Sequence, residues 1–360
     1  MRRACKLSMK FITASKRRRL SALLQAYRAA VNFYIQSLWT SPGKLDKDTL
    51  SRLQPIGTRL SARYKSQALK QALEIVVSTK KACKALGKRA KIPIFQGDAV
   101  LDAKFVDINI DPGTSTFDIF IRLSSLTRGR RIILPTKGTA VLNKWLGVPD
   151  SSLVQGCSLS ENSLTVWVEM PEPSMKKTGL SLGLDMGMNN LIALSDGSFL
   201  GEDFKKIRTK VAKAPNGSAS KRRAMVARDN YINHQVNSLP WDTLKLIAVE
   251  ALKNLKRGKS PGRGKAFRRA AAPWTYRRVL EAVTRKAQEN GVLLVAVPPQ
   301  YTSQECPSCG TVDRRNRSAE RFKCINCGHS QHADTVGAIN VLTKALRKAG
   351  SLESPALQAV

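Results

Sequence analysis

Residues 324–340 read CINCGHSQHADTVGAIN. Cys324 and Cys327, a C-x2-C pair, have the look of half a metal knuckle. Seven residues past Cys327, Asp334 opens a run in which Val336, Ile339, Leu342 and Leu346 recur at helical spacing. Two readings follow. In one, the knuckle is a C-terminal appendage and Asp334 is merely the N-cap of a trailing helix. In the other, the knuckle interrupts a larger domain, and Asp334 stands where that domain resumes with a carboxylate it needs. The choice between them decides the fold of the C-terminal half.

Working outward, the other half of the knuckle is Cys306-x2-Cys309, separated from Cys324 by 14 residues. Two such pairs chelate one tetrahedral ion, and four thiolates leave no open position, so a structural Zn²⁺ is expected. A redox dithiol is the rival reading. The doubled pair and the lack of thioredoxin-like surroundings weigh against it. His329 is read as a surface residue and His332 as a neighbour of the Asp334 carboxylate, neither as a ligand. The intervening TVDRRNRSAERFK is a basic fingertip with Arg314, Arg315, Arg317 and Arg321 as candidate nucleic-acid contacts. Cys5, Cys83 and Cys157 are isolated, so the cysteines form no disulfide framework and a reducing, intracellular setting is expected.

Upstream, LSLGLDMG (180–187) and NLIALSDG (190–197) read as strands, with SFLGEDF (198–204) as a third. Residues 205–238 read as helical with a break at APNGS. LKLIAVE is a strand, 275–290 a helix, 292–297 a strand and 334–348 the last helix. Three antiparallel strands followed by helix-linked parallel strands is the ribonuclease H-like layout. Asp185, among apolar strand residues, needs a cation or hydrogen bonds if buried. Glu250, ending LIAVE, has the same need. Singly, each acid is as readily a turn former, a solvated strand end or a cap. In that layout, however, the first strand pairs with the fourth, which puts Asp185 beside Glu250, and the final helix brings Asp334 across the same face. Three converging carboxylates call for divalent cations, and hard oxygen ligands suit Mg²⁺. Two such ions serve phosphodiester hydrolysis. On this reading the knuckle is an insertion.

The first 175 residues differ in style. Helices are expected over 15–38 and 66–87, then alternating strands such as TFDIFIRLS, RRIILP and SLTVWVEM. PEPSMKKTG (171–179) reads as a domain boundary. The chain's 360 residues suit two or three domains. Its net charge of +35, from 61 Lys and Arg against 26 Asp and Glu, calls for a polyanionic partner. No apolar run approaches the roughly 18 residues of a spanning helix. The Arg-rich start resembles a transit peptide but reads better as a first strand and a basic helix start. From Lys253 to Arg278 there are ten Lys and Arg and no acid. Lys256, Arg257, Lys259, Arg263, Lys265 and Arg268 are read as nucleic-acid contacts on a mobile lid, with a solvated loop as the alternative. KRRAMVAR (221–228) is similar. Trp241, Trp274 and Phe267 suit base stacking or core packing equally.

GLDMGMNNLIALSDG, LIAVEALKNLKRG, VPPQYTSQECPSCG, RFKCINCG and HADTVGAINVL, in this order, resemble the RuvC-like motifs and zinc-ribbon insert of TnpB proteins, relatives of compact type V CRISPR effectors. The resemblance covers about residues 180–347. It implies a cytoplasmic, prokaryotic RNA-guided DNA endonuclease, with guide RNA and target DNA as partners and Asp185, Glu250 and Asp334 as the Mg²⁺-binding triad. It implies a multidomain α+β fold. A wedge-like β-barrel would occupy 1–15 and 88–175 around a helical recognition insert, 16–87. A RuvC-like nuclease domain would occupy 180–300 and 332–348, with the zinc ribbon at 301–331 and a flexible tail at 349–360. The chain departs from the family pattern at Val336 and Gly337, where an Asn-Ala pair is common. A guide-free transposon-associated nuclease and a non-catalytic zinc-ribbon nucleic-acid binder are the alternatives.

Overall fold

The computed structural model describes residues 1–40, 59–87, 89–111, 113, 115–187, 189–252 and 273–352. The chain divides into two compact units, Met1–Pro171 and Glu172–Val360. Among the described residues no helix is long and apolar enough to cross a membrane.

The first unit contains two long helices, α1 (Ala14–Thr40) and α2 (Ala62–Ala85), a short α3 (Ala140–Leu146), and seven strands. One sheet has the order β1-β7-β6-β2, from Arg2–Ser8, Ser163–Glu169, Ser152–Leu159 and Ala99–Asp102. A second holds β3 (Val106–Ile110), β4 (Ile119–Ser124) and β5 (Arg131–Thr136) in sequence order. The alternation in IFIRLS is realised: Ile119, Ile121 and Leu123 are buried and the residues between are not. Helices and sheets share one core, in which Leu24, Tyr27 and Tyr64 join Leu101, Ile121 and Val166. Tyr64 also donates its hydroxyl to Ser124 O, 2.8 Å, tying α2 to the end of β4.

The expected closed barrel is not formed; the described strands make two open sheets. The reason lies at the seams. Between β6 and β3 the ladder is replaced by a side chain: Gln155 accepts from Ile108 N (2.9 Å) and donates to Ile108 O (3.1 Å). Gln155 sits in the irregular stretch of β6 between Val154 and Ser158, beside Gly156 at φ 154°. Such a bulge bends the strand and interrupts pairing. Between β1 and β5 a side chain again makes the link, Thr136 Oγ1 donating to Ser8 O at 2.9 Å. Side-chain bridges satisfy the backbone groups there without a continuous ladder.

The second unit is built on a five-stranded sheet of order β10-β9-β8-β11-β12. Strand β9 (Ile192–Leu194) is antiparallel to both its neighbours, β8 (Leu180–Asp185) and β10 (Phe199–Leu200), while β11 (Leu244–Glu250) lies parallel to both β8 and β12 (Leu293–Val297). The parallel strands are near-continuous apolar runs, as strands covered on both faces require. Helices α4 (Phe204–Lys213) and α5 (Ala219–Asn237) flank the expected break, and α6 (Pro273–Glu289) precedes β12. After β12 come three short strands, β13 (Arg317–Ser318), β14 (Arg321–Lys323) and β15 (Ser330–His332), then α7 (Ala333–Leu352).

Helix α7 lies directly on β8, and a glycine makes this possible. A Cβ on Gly183 would stand 2.0 Å from Ala338 O and 2.9 Å from Leu342 Cβ, so only Gly lets the helix backbone come so near the strand. The chain therefore leaves the sheet after β12, folds the cysteine knuckle, and returns to the same sheet with α7. The expected tail at 349–360 is helical through Leu352, and its remainder lies outside the described residues.

Candidate active site and metal centre

Asp185 is the last residue of β8, and Glu250 is the last of β11. Leu184 pairs with Val249 in parallel register, so the next residues, the two acids, emerge side by side at the carboxyl ends of adjacent strands. Open α/β sheets present their sites there. Asp334 enters from the first turn of α7. His332 Nδ1 accepts the Asp334 backbone N–H at 3.2 Å, so a histidine caps the helix and the Asp334 carboxylate faces the cleft. All three acids line one cleft of about 1200 Å³, together with Met186, Asn189, Thr302, Gln304, Arg314 and Arg317.

The electrostatics of this cleft are those of crowded acids. Burial, then the charges of Glu250 and Asp334, push the Asp185 carboxyl up to about 7, against the pull of Arg317. Glu250 is also raised, by burial, although the Thr302 hydroxyl, Lys344 and Arg317 oppose the shift. Arg317, from the knuckle, is ion-paired to Asp334 Oδ1 at 2.7 Å. A buried carboxylate short of countercharge, lined up with two others, is a donor set that fits a hard divalent cation. The three carboxylates are spaced more widely than the four cysteines. Among the described residues, the cysteines are the one group of three or more ligating side chains gathered within 4.8 Å.

Gly337 occupies the departure from the family pattern, and the cleft explains it locally. A Cβ there would lie 2.6 Å from Asp185 Oδ2, so the bare glycine leaves that oxygen its place against α7. Val336 is fully buried and packs with Ala333, Phe322, Cys306 and Cys324, seating the knuckle on the helix.

In the knuckle, Cys309 and Cys324 sulfurs are 3.5 Å apart, and those of Cys306 and Cys327 are 3.7 Å apart. A tetrahedral ion with Zn–S near 2.3 Å requires S···S edges of about 3.8 Å, so the sulfur set fits Zn²⁺. Hydrogen bonding to Thr311 holds the Cys309 thiol down at about 5. Cys327 is pushed up to about 11; a backbone hydrogen bond with His329 opposes this, but the neighbouring sulfurs and burial outweigh it. His329 packs against Phe322, 6.4 Å between rings, and His332 meets Phe199 edge-on at 4.8 Å.

The fingertip arginines part company. Arg314 and Arg317 line the cleft. Arg315 is held by both oxygens of Asp313, at 3.0 and 2.8 Å. Arg321 is exposed on β14, opposite His332. Lys256, Arg257, Lys259, Arg263, Lys265, Arg268 and Phe267 lie outside the described residues, and the side chain of Trp274 is likewise not described. Trp241 is core: it is buried, with Nε1 donating to Val236 O at 2.8 Å. Sequence reasoning missed Thr302, which donates to Glu250 Oε1 at 2.5 Å, and Asn340, which donates to Thr302 O and Glu305 O, both at 2.8 Å. The available signal was an apolar-flanked asparagine on the face of α7 that also carries Val336.

The second unit thus joins an acid-lined cleft to a four-cysteine knuckle inserted between the last strand and the last helix of its sheet. Residues 276–341 match the family model described as Cas12f1-like, TNB domain. A CRISPR-associated endodeoxyribonuclease Cas12f1 of Sulfoacidibacillus thermotolerans is 41% identical over 69 residues, 19% of this chain and 16% of that protein. A putative RNA-guided DNA endonuclease InsQ of Escherichia coli (strain K12) is 28% identical over 228 residues, 54% of this chain and 56% of that one. The chain is similar to TnpB-like proteins and, through its C-terminal region, to Cas12f1 endodeoxyribonucleases. It spans about one-sixth of the Cas12f1 relative and just over half of InsQ. The solved structure of CasPhi-2 (Cas12j) bound to crRNA shares the fold, with a TM-score of 0.55 at 9% identity over 96% of this chain and 98% of that one.

Proposed function

We propose that this protein is an RNA-guided DNA endonuclease whose second unit is a ribonuclease H-like, RuvC-type nuclease domain with an inserted zinc ribbon. The observation that carries the reading is the meeting of Asp185, Glu250 and Asp334, from three elements distant in sequence, in one cleft beside the knuckle. The sheet order β10-β9-β8-β11-β12, with β11 parallel to both neighbours, supports the ribonuclease H-like reading. The names of the Cas12f1 and InsQ relatives supply the reaction class.

Asp185, Glu250 and Asp334 would hold a pair of Mg²⁺ ions, which supply an activated water and stabilise the leaving oxygen of a phosphodiester. Asp185, whose carboxyl burial and the neighbouring acids hold near 7, would be a metal ligand in its deprotonated form. Arg314 and Arg317, on the cleft wall, attract the phosphate backbone. Arg317 exchanges its hold on Asp334 for the incoming strand. Cys306, Cys309, Cys324 and Cys327 would hold Zn²⁺ and so present this wall, taking no part in the chemistry. The charge of +35 serves guide RNA and target DNA together.

The test is to purify the protein from its host, sequence any bound RNA and offer DNA complementary to it. Cleavage of the matched duplex alone is expected. Asp185→Ala, Glu250→Ala and Asp334→Ala should each abolish Mg²⁺-dependent cutting and leave nucleic-acid binding in place. Equal cutting of arbitrary duplexes by RNA-free protein would establish the guide-free nuclease instead. Undiminished cutting by any one variant removes that acid from the triad.

A further inference from the structure

Between β12 and the first cysteine the chain makes a tight turn, Pro299–Glu305, that carries neither an acid of the triad nor a cysteine of the knuckle. Tyr301 in this turn has φ 63°, a left-handed conformation that non-glycine residues adopt at a cost. Such strain persists only where the surroundings over-determine it. They do so here. Backbone bonds from Gln304 N and Glu305 N both close on Tyr301 O at 2.9 Å. Asn340 is buried, and its amide nitrogen donates to Thr302 O and to Glu305 O, both at 2.8 Å. One helical turn on, Lys344 donates to Gln300 O and lies 3.9 Å from Glu305 Oε2. Two successive turns of α7 therefore grip this one loop.

Of the loop residues that line the acid cleft, Thr302 hydrogen-bonds one of the acids. Thr302 is buried at 2% exposure. Its hydroxyl has two acceptors in reach, Glu250 Oε1 at 2.5 Å and Pro299 O at 3.0 Å. A hydroxyl has one proton. The shorter, charge-assisted contact to the carboxylate takes it. The chain of contacts then runs from Glu250 through Thr302 to Asn340 on α7. The same helix carries Asp334 six residues earlier, about 9 Å along its axis.

We propose that Thr302 and Asn340 form a positioning clamp that sets the Glu250 carboxylate relative to Asp334, with α7 as the rigid spacer between them. The proposal rests on the reading of the three carboxylates as a divalent-cation site. It assigns the root of the ribbon to the nuclease centre and separates it in role from the cysteine knuckle beyond. The clamp residues touch neither metal nor DNA; they act through Glu250.

The experiment is Mn²⁺ titration of the full-length protein, followed by the electron paramagnetic resonance of free Mn²⁺, alongside cleavage of a matched target. The variants are Thr302→Val, which keeps shape and removes the hydroxyl, Thr302→Ser, which keeps the hydroxyl, Asn340→Asp, and Glu250→Gln as reference. Thr302→Val should weaken Mn²⁺ binding by about 10- to 100-fold, the usual effect of removing a hydrogen-bond partner of a ligand. Thr302→Ser should restore it. Asn340→Asp should weaken it in the same direction, and reports on the clamp even if the valine variant fails to fold. In the Glu250→Gln background Thr302→Val should add nothing. Native Mn²⁺ affinity in Thr302→Val, with affinity lost in Glu250→Gln, overturns the clamp and leaves the metal site standing. Additive losses in the double variant also overturn it, since Thr302 would then act on the fold at large. Native affinity in Glu250→Gln overturns the metal-site reading itself, and the clamp with it.

Discussion

Asp185 shows how one side chain links burial, folding and metal. Its carboxyl sits near 7 in the fold against an ordinary 3.8, so folding favours the protonated form. The stability this contributes is full below the unfolded value and is lost as pH rises through about 7. Without divalent cations, Asp185→Asn should raise the melting temperature at about pH 8 and flatten its dependence between about pH 4 and 8. Thermal melts in chelator across that range check this; an unchanged slope would mean that Asp185 ionises as a solvated acid does. Mn²⁺ binding by the unaltered protein should tighten through the same window, because the ligand must be deprotonated. Gly337 is the companion case. Gly337→Ala places a methyl 2.6 Å from Asp185 Oδ2, and the carboxylate has to move. A displacement of that kind should lower kcat by about 10- to 100-fold with target binding kept. Wild-type cleavage by Gly337→Ala would show that Asp185 works from another rotamer.

Helix α7 and the knuckle are interdependent elements. Phe322, Cys306 and Cys324 pack on Ala333 and Val336, so the ribbon shares a small core with the helix that resumes the sheet. Removing the ion should loosen the ribbon before the sheet, since zinc affinity is folding free energy for such a knuckle. Cys306→Ser is therefore expected to speed amide exchange over residues 306–328 while β8, β11 and β12 keep their protection. Exchange rising equally in both would mean that knuckle and sheet unfold as one. The contact of Thr302 with Glu250 also bears on where the ribbon can be excised. Replacement of the whole of 301–331 takes Thr302 away from Glu250, whereas a linker over 306–328 keeps it. Beneath both lies the contact of α7 with β8. Gly183→Ala would force the helix off the strand, at about 1–3 kcal/mol or more, read as a lower melting temperature.

For the whole molecule, charge is the dominant fact. An excess of 35 positive charges spread over both halves of the sequence predicts binding to nucleic acid that weakens steeply with salt. Neutralising about six to ten phosphates should cost about 10³–10⁵ in affinity between about 50 and 200 mM salt. Filter binding or fluorescence anisotropy across that range checks it, and a flat salt response would deny the backbone contacts. The first unit, by contrast, shows how far a motif-free region can be read. Its helices at Ala14–Thr40 and Ala62–Ala85 and its strands at Ile119–Ser124, Arg131–Thr136 and Ser163–Glu169 were legible from apolar spacing, because period follows from which face is buried, whereas those at Ala99–Asp102, Val106–Ile110 and Ser152–Leu159 were not. Barrel closure was not legible. It turns on Gln155 and Thr136, which replace the backbone ladder at two seams, and neither residue type announces that in sequence.

By itself, the sequence determined the pieces whose physics is local: the C-x2-C pairs, whose chelating geometry is set by a few bonds, the strand and helix periods, and the net charge. It also placed Asp185, Glu250 and Asp334 at element ends, since an acid among apolar strand residues stands out wherever the chain later goes. The tertiary structure alone decided what those ends meet. His332 caps α7, so Asp334 is not used as a cap. Arg317, read as a fingertip contact, reaches back to Asp334. Thr302 and Asn340 passed unnoticed because each is an ordinary buried polar residue until its partner, 52 residues away for Thr302 and 38 for Asn340, is in place. Hydrogen bonds across such separations carry no periodic signature. They form once Gly183 lets α7 settle on β8, which puts Asn340 within 3 Å of Thr302 O.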